Sequence, residues 1–242
     1  MWISRAGVAA AGIMTAMIGW AVTPQELTRI QGELGRATPP VWTPPTGALL
    51  VGGSYACFAR GVAGAGAAGD LGVAGAAVTR GRRLVAVATA LGAAGAPYAP
   101  GRLALREGPL LEAAVRGLPV AAPVLLVNAT GRDHQHRAGL AVHLGAVLDL
   151  PTVGVTDRPL LARGDHPSDL PWATSPLWLD GEQVGAWLRT RPGARPVAVH
   201  AGWRTDVETA LAVVQAATRR HARTPEPLRR ARTAARTARS RR

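Results

Sequence analysis

The chain has 242 residues, which fits one domain of ordinary size with a substantial core. Aromatic residues make up only 4% of it, so Ala, Val, Leu and Gly must fill the interior, as in α/β domains with close helix–sheet packing. The net charge is +13, and every basic residue other than histidine is Arg, which favours polyanionic partners. The single cysteine, Cys57, excludes an internal disulfide and suits a cytoplasmic protein.

The first 22 residues permit three interpretations. An uncharged run over residues 6–22 is near the lower limit for a membrane span and resembles the apolar part of a signal peptide. Residues 23–26, Thr-Pro-Gln-Glu, instead have the pattern of a helix start. The first interpretation of residues 1–22 is a start placed too early, with Met14 or Met17 as the true first residue. The second is a secretion signal or anchor, and the third is a structural helix. A membrane partner is not expected.

Residues 23–47 are predicted to hold a short helix, 24–34, and a proline-rich linker that cannot keep regular structure. Three strand candidates follow, the last two joined by a turn at residues 80–83. A Gly/Ala-rich stretch between the first two reads as a loose loop. The strand candidates are residues 48–57, 71–79 and 84–91.

The second half of the chain alternates helical and strand patterns. Apolar spacing predicts a helix over residues 102–115, interrupted by Pro109, and residues 123–128 are typical of a buried parallel strand. Three strands followed by this alternation indicate a mixed sheet with helices on both faces, in a single domain over residues 48–222. The later predicted elements are helix 136–148, strand 151–155, a hairpin of 178–179 with 184–189, strand 197–200 and helix 205–221.

The last segment, residues 223–242, is predicted to be an Arg-rich C-terminal tail. Ten Arg and one Glu stand between Arg219 and the end of the chain. Such a tail either contacts nucleic acid or is a solvated, frayed end.

Several short motifs occur in a fixed order along the chain. A Pro-Tyr-Ala-Pro-Gly turn at residues 97–101 leads into Arg-Glu-Gly-Pro at 106–109, and "VGGSY" at residues 51–55 precedes "LLVNATG" at 125–131. This order resembles that of the endonuclease V family, and the last two motifs are similar to the family's two aspartate-bearing strands. Each motif alone is weak, but the ordered set is specific and covers about residues 24–232. Further matches are "GLAVHLG" at 139–145, "DLPTVGV" at 149–155 and "PEP" at 225–227.

The resemblance implies a ribonuclease-H-like α/β fold. It also implies a DNA-repair type of activity, Mg²⁺-dependent cleavage 3′ to deoxyinosine in DNA or inosine in RNA. Such hydrolysis needs clustered carboxylates, because Mg²⁺ prefers hard oxygen ligands and polarises both the attacking water and the phosphate.

Four positions of this chain depart from the family pattern. Only Glu107 remains of three metal carboxylates, because the other two positions read Gly52 and Asn128. The family's lysine and histidine positions read Asp157 and Trp203. Each missing carboxylate removes an attraction of roughly several kcal/mol for a divalent ion. Cleavage is therefore expected to be weak or lost, unless a nearby acid replaces the lost ligands; the candidates are Asp70, Asp133 and Asp206.

The resemblance assigns roles to individual residues. Glu107 and His134 are the catalytic candidates, and Glu107 is the remaining metal candidate. Tyr98 is the candidate wedge that stacks where a damaged base has left the helix. The full set of nucleic-acid candidates is Pro97, Tyr98, Pro100, Gly101 and Gly131.

Each candidate also has a structural interpretation. Glu107 can be a surface carboxylate paired with Arg106, Tyr98 a hydrophobic plug, and His134 with His136 a solvent-facing pair. On the functional interpretation, Gly52 and Asn128 should face a common cleft beside Glu107, on adjacent parallel strands.

Three hypotheses about function follow. The chain is a retained or rewired phosphodiesterase, a module of the same shape that binds inosine-containing DNA or RNA without cutting it, or an inert relic. No obligate protein partner is evident.

Overall fold

The computed structural model describes residues 18–58 and 66–241, and within them the chain forms eight strands and five helices. One mixed sheet holds all the strands, in the order β3-β2-β1-β4-β5-β8-β7-β6, with helices on both faces. The strands are β1 Leu50–Phe58, β2 Leu71–Arg80, β3 Arg83–Ala93, β4 Leu125–Val127, β5 Thr152–Thr156, β6 Thr174–Leu179, β7 Glu182–Leu188 and β8 Val197–Ala201. The helices are α1 Pro24–Arg36, α2 Leu103–Arg116, α3 Leu140–Leu148, α4 Val207–Ala217 and α5 Glu226–Ser240.

Both predicted hairpins are confirmed. β2 and β3 pair antiparallel around Gly81, whose φ of +56° lies in the left-handed region. β6 and β7 pair antiparallel around Asp180 and Gly181, with φ of +50° and +80°. Positive φ at a tight turn matches the right-handed twist of the flanking strands, which is why Asp-Gly predicts such a hairpin.

The three central strands, β1, β4 and β5, are parallel. Gly52 of β1 pairs with Leu125 of β4, and Ser54 pairs with Val127. The expectation that the two motif strands run adjacent and parallel is therefore confirmed. Their carboxyl ends meet at one edge of the sheet, where open α/β sheets place their ligand sites.

Two apolar layers hold the helices against the sheet. One contains α1, α2 and α3 with Leu125 and Val127. The opposite layer contains α4 and the start of α5 with Val51, Leu126 and Val153. Small side chains fill much of both layers, as the low aromatic content predicted.

Four predicted elements differ in the structure. Helix α4 ends at Ala217, four residues before its predicted end. Helix α2 continues through Pro109, although the sequence predicted an interruption there. Strand β6 begins four residues before its predicted start and includes Pro176. The proline is tolerated because β6 is at the edge of the sheet, where a missing N–H donor is not needed on the outer side. Helix α3 starts at Leu140, four residues later than predicted, because residues before it form hydrogen-bonded turns instead.

The largest correction concerns residues 223–242. They are not a tail over most of their length, because Glu226–Ser240 forms helix α5. Leu228, Ala231 and Ala235 of this helix are buried. A side chain added at Gly53 would lie 2.5 Å from the Pro227 carbonyl carbon, so the glycine permits close approach of helix and strand.

The apolar leader lies mostly outside the described residues, which begin at Ile18. Trp20 stacks on His143 with ring centroids 4.6 Å apart, and its indole donates to Glu112 at 2.6 Å. Residues 18–20 are thus part of the folded domain. In the described part of the chain, no helix combines the length and the hydropathy that spanning a membrane requires.

Candidate nucleic-acid interface

The proline-framed turn at residues 97–101 is held in place by buried groups. The Gly101 carbonyl accepts hydrogen bonds from His134 Nε2 at 2.9 Å and from Gln31 Nε2 at 3.1 Å. Gly101 has a φ of +76°, a conformation that glycine adopts without steric cost. The turn is therefore anchored from below by α1 and by the loop after β4.

Tyr98 stands on the outer side of this turn. Its side chain is 48% exposed, and both flanking residues, Pro97 and Pro100, are exposed as well. A hydrophobic plug would be buried, so that interpretation is wrong. A rigid turn with an exposed ring is the geometry that stacking against a base requires.

His134 does not have the geometry of a free acid or base. The side chain is fully buried, and His136 N–H donates to its Nδ1 at 3.1 Å. Nδ1 is therefore an acceptor, and Nε2 carries the proton that is donated to Gly101. Burial lowers the pKa of His134, which keeps the ring neutral. The structure gives His134 the role of anchoring the turn, and the interpretation as a solvent-facing histidine is also wrong.

Gly131 is buried as well. A side chain added there would lie 2.0 Å from the carbonyl oxygen of Ala201, and its own carbonyl accepts from Gly139 N–H at 2.9 Å. Close packing of the loop against β8 accounts for this glycine. The structure therefore does not place Gly131 at an exposed nucleic-acid surface.

Glu107 is partly buried on α2 and is not paired with its neighbour. Arg106 instead makes an ion pair with Asp70 at 2.9 Å and stacks over the Phe58 ring at 4.0 Å. The interpretation of Glu107 as the partner of Arg106 is therefore wrong. Burial raises the pKa of Glu107 to about 7, although the charge of Arg106 opposes the rise.

Gly52 and Asn128 do not share a cleft. Gly52 lies three residues before the level of Asn128, and a side chain added there would meet the Leu125 side chain at 2.9 Å. The space beside Gly52 is a cavity lined mainly by apolar residues at the amino-terminal end of β4, including Leu148 and Leu150. The expected juxtaposition is wrong, because Gly52 lies three residues too early along β1 to stand beside Asn128.

The residue of β1 that stands beside Asn128 is Tyr55. Asn128 follows Val127, which pairs with Ser54, and its N–H donates to the Ser54 carbonyl at 3.3 Å. Neighbouring strands lie about 5 Å apart, so Tyr55 and Asn128 are adjacent, just past the end of β4 and three residues before the end of β1. The Asn128 side chain is exposed.

Helix α5 runs along β1 towards its carboxyl end, and three of its arginines share the helix face near this strand. We call them the arginine row: Arg232, Arg236 and Arg239. The Arg232 guanidinium lies 5.0 Å from the centroid of the Tyr55 ring, within cation–π range. Arg239 Nη1 donates to the Phe58 carbonyl at 2.7 Å. Sequence reasoning missed this contact because it treated the segment as a tail.

The pKa of the Cys57 thiol depends on the charged groups near the end of β1. Burial raises its pKa, the charges of Arg239 and Arg236 lower it, and the charge of Glu107 raises it. The thiol is therefore within electrostatic reach of Glu107 and of two members of the arginine row, Arg236 and Arg239. Cys57 itself is buried, as the sequence predicted.

The acids that were candidates to replace the lost ligands are engaged elsewhere. Asp70 pairs with Arg106, and Asp206 caps α4 by accepting from Thr209 N–H at 2.8 Å. Asp133 is fully buried and accepts three backbone hydrogen bonds from residues 160–162, at 2.5 to 2.9 Å.

The two remaining departures from the family pattern are also structural. Asp157 makes an ion pair with Arg223 at 2.6 Å. Trp203 is buried in the layer of α1 to α3, against Gly145 of α3. A buried indole supplies neither the charge nor the lone pair of an imidazole.

These groups do not fit a divalent metal ion. A hard cation needs several anionic oxygens, and this strand end offers Glu107, a neutral amide and the positive arginine row. Within residues 18–58 and 66–241, no group of three or more His, Cys, Asp or Glu side chains is arranged to hold a metal.

Comparison with known proteins finds similarity to the endonuclease V family. The sequence model described as "Endonuclease V" matches residues 59–233. An endonuclease V of Streptomyces avermitilis is 37% identical over 216 residues, covering 88% of this chain and 91% of that protein. A Roseiflexus relative is 43% identical over 133 residues, and there the chain spans only 60% of the relative's length.

Solved structures of the same family have the same fold. The crystal structure of the Streptomyces avermitilis endonuclease V superposes with a TM-score of 0.81 at 34% identity, covering 92% of this chain and 96% of that one. Human endonuclease V gives a TM-score of 0.74 at 27% identity, covering 89% of this chain and 98% of that one. A Ciona intestinalis endonuclease V, in complex with a 24mer DNA containing an inosine, gives 0.71 at 22% identity, covering 90% of this chain and 98% of that one.

Proposed function

Because the chain belongs to the endonuclease V family, with its ribonuclease-H-like fold, we propose that it binds inosine-containing nucleic acid and cleaves it weakly or not at all. The observation that carries the binding half is the anchored turn at residues 97–101, with Tyr98 held outward between two prolines. The Ciona relative was crystallised with an inosine-containing DNA, which supports the same substrate class here.

The catalytic half of the proposal rests on charge. The family is metal-dependent, and a metal at the strand end would meet one carboxylate that protonates near neutral pH and the guanidiniums of α5. We therefore assign no catalytic step to Glu107. His134 acts as a positioning residue, because it donates to Gly101 and holds the turn that presents Tyr98.

Binding and cleavage are tested on strands that differ by one inosine. Labelled DNA and RNA, single-stranded and duplex, are titrated by fluorescence anisotropy in EDTA and in Mg²⁺. The wild-type protein should prefer the inosine strand, and Tyr98→Ala should remove most of that preference, because stacking on one base contributes roughly 1–3 kcal/mol. Tyr98→Phe is the matched control, since it keeps the ring and should keep the preference.

Cleavage is followed on the same strands with Mg²⁺ and with Mn²⁺, beside the Streptomyces avermitilis relative. The present chain should form little or no product under conditions in which that relative converts its substrate. Turnover at a comparable rate would contradict the catalytic half. Equal binding to strands with and without inosine would contradict the binding half and leave the relic hypothesis.

A further inference from the structure

Helix α5 lies along β1, and successive parts of the helix contact successive residues of the strand. Pro227 lies against Gly53, Arg232 lies over Tyr55, and Arg239 bonds to Phe58. The arginine row recurs every three or four residues, so its members share one face of the helix. That face follows β1 past Tyr55, which stands beside Asn128, one of the positions to which the family resemblance assigns a metal ligand.

The members of the row carry charge that no acid in the described residues neutralises. Arg219, Arg229 and Arg230 all pair with the buried carboxylate of Glu226, at 2.6 to 2.7 Å. Among residues 18–58 and 66–241, no carboxylate lies within ion-pair distance of Arg232, Arg236 or Arg239. Arg236 is exposed, and the other two are partly exposed.

Two of these guanidiniums are also held in position. Arg232 rests over an aromatic ring, and Arg239 is fixed by a backbone carbonyl. An arginine with a restrained side chain loses less conformational entropy when it binds an anion than a freely rotating one does. Arginine also offers several donors in a planar arrangement that matches phosphate oxygens.

We propose that the arginine row is a phosphate-binding site for a polynucleotide backbone, and that it takes the place of the metal ion at this strand end. From Arg232 to Arg239 the helix rises about 10 Å, at about 1.5 Å per residue. One nucleic-acid strand advances about 3.4 Å along its axis per phosphate, so the row spans about three steps from one phosphate to the next. Binding through this site requires no divalent metal. The inference rests on the proposed function, because it names how the same interface holds the strand.

The test measures how affinity for an ordinary strand depends on salt. Wild-type protein and variants are titrated with a labelled inosine-free oligonucleotide in EDTA, from low to moderate salt. Arg232→Gln with Arg236→Gln should lower the slope of log affinity against log salt by about 1.4–1.8, since each of the two phosphate contacts contributes about 0.7–0.9. Arg236→Lys keeps the charge and should keep most of the slope.

Arg82→Gln is the matched control. Arg82 is an exposed arginine in the β2–β3 turn, at the far end of the sheet from Phe58, because Leu50 pairs with Arg80 whereas Phe58 pairs with Gly72. Its substitution should leave the slope unchanged. Circular dichroism melts of all variants establish that they fold. Arg236→Gln alone is the variant to read if the double change unfolds, because Arg236 makes no bond to β1 among the described residues.

Each outcome decides the inference. An unchanged slope in folded Arg236→Gln, or wild-type binding that disappears in EDTA, would overturn it. Competition by inorganic phosphate at concentrations matching the oligonucleotide's phosphates would also overturn it, since it would show a site for free phosphate rather than for a strand. The row variants should weaken inosine and plain strands by the same factor. If the row variants lose salt dependence while the wild-type protein shows no preference for inosine, the proposed function is rejected and the phosphate-binding site is not.

Discussion

At the scale of single residues, the site is decided by what surrounds each side chain. Glu107 keeps the residue type that the family pattern requires, yet burial raises its pKa to about 7. His134 keeps its type as well, yet both of its ring nitrogens bond to the backbone. A residue match therefore identifies descent, whereas hydrogen bonding and burial decide chemistry.

Glu107→Gln should stabilise the fold at neutral and alkaline pH. The folded pKa of Glu107 is raised from its usual 4.5 to about 7, so its stabilising protonation is complete below pH 4.5 and is lost as pH rises through 7. At about 1.4 kcal/mol per pKa unit, the charged form costs at most about 3 kcal/mol. Urea unfolding at pH 8 should therefore show the variant to be more stable by up to that amount.

The same comparison at pH 4.5 should show little difference between the two proteins. The pH dependence of the wild-type stability alone does not isolate this effect, because His200 titrates as well. Burial lowers the pKa of His200 to about 4, although the charge of Asp133 opposes the fall. The neutral His200 contributes stability above pH 6.5 that is lost as pH falls through 4. Equal stability of wild type and Glu107→Gln at pH 8 would show that Glu107 is solvated.

Gly52→Asp should destabilise the protein and should not create a metal site. The new carboxylate would enter a cavity lined by Leu125, Leu148 and Leu150, where the lining cation, Arg116, already pairs with Glu112 at 2.7 Å. Burying a charge that lacks a full partner costs up to several kcal/mol.

Gly52→Ala is the control, and it should cost about 1 kcal/mol, because the flexible end of Leu125 must shift and Ala122 Cβ, 3.3 Å away, must give slightly. Thermal melts rank the two variants. Isothermal titration with Mn²⁺ should show no gained binding for Gly52→Asp with Asn128→Asp.

At the scale of elements, helix α5 changes the interpretation of the C-terminus. Its arginines predicted a tail that either contacts nucleic acid or is solvated, but the segment is a helix with a buried face. After Pro227 that face has few apolar side chains, Leu228, Ala231 and Ala235. They suffice because Gly53 and Gly75 of the facing strands leave room for the helix backbone. Small residues on both sides let dispersion contacts replace the usual bulky apolar stripe.

Removing residues 226–242 should prevent cooperative folding. The helix covers one face of β1 and β2, whose side chains would otherwise meet water. Burial of one leucine alone contributes about 1.5–3 kcal/mol, a large part of a total stability of about 5–15 kcal/mol. The truncated chain should lose its sharp thermal transition by circular dichroism. Removing only residues 241–242 should leave the transition in place, and a cooperative melt of the longer truncation would show α5 to be dispensable.

At the scale of the whole molecule, the order of the strands assembles the interface. β1, β4 and β5 are neighbours in the sheet although long segments separate them in the chain. Their carboxyl ends bring together Tyr55, Asn128 and the loop that starts at Asp157. Arg239 also donates a hydrogen bond to the Phe58 carbonyl, which joins two residues that are 181 positions apart in the chain.

The sequence by itself determined the fold class, most element positions, both hairpins and the family. These follow from local information: apolar periodicity, turn residues and an ordered set of motifs. It also placed Tyr98 in a rigid turn, because proline restricts its own backbone and that of the residue before it.

Only the tertiary structure decided which residues meet. The register of β1 against β4 separates Gly52 from Asn128 and puts Tyr55 beside it, and a motif of five residues does not carry that register. The burial of His134, the pairing of Arg106 with Asp70 and the row of arginines over β1 depend on contacts between distant segments. Solvation and charge at the site are properties of that assembly, which is why the residue types alone did not reveal them.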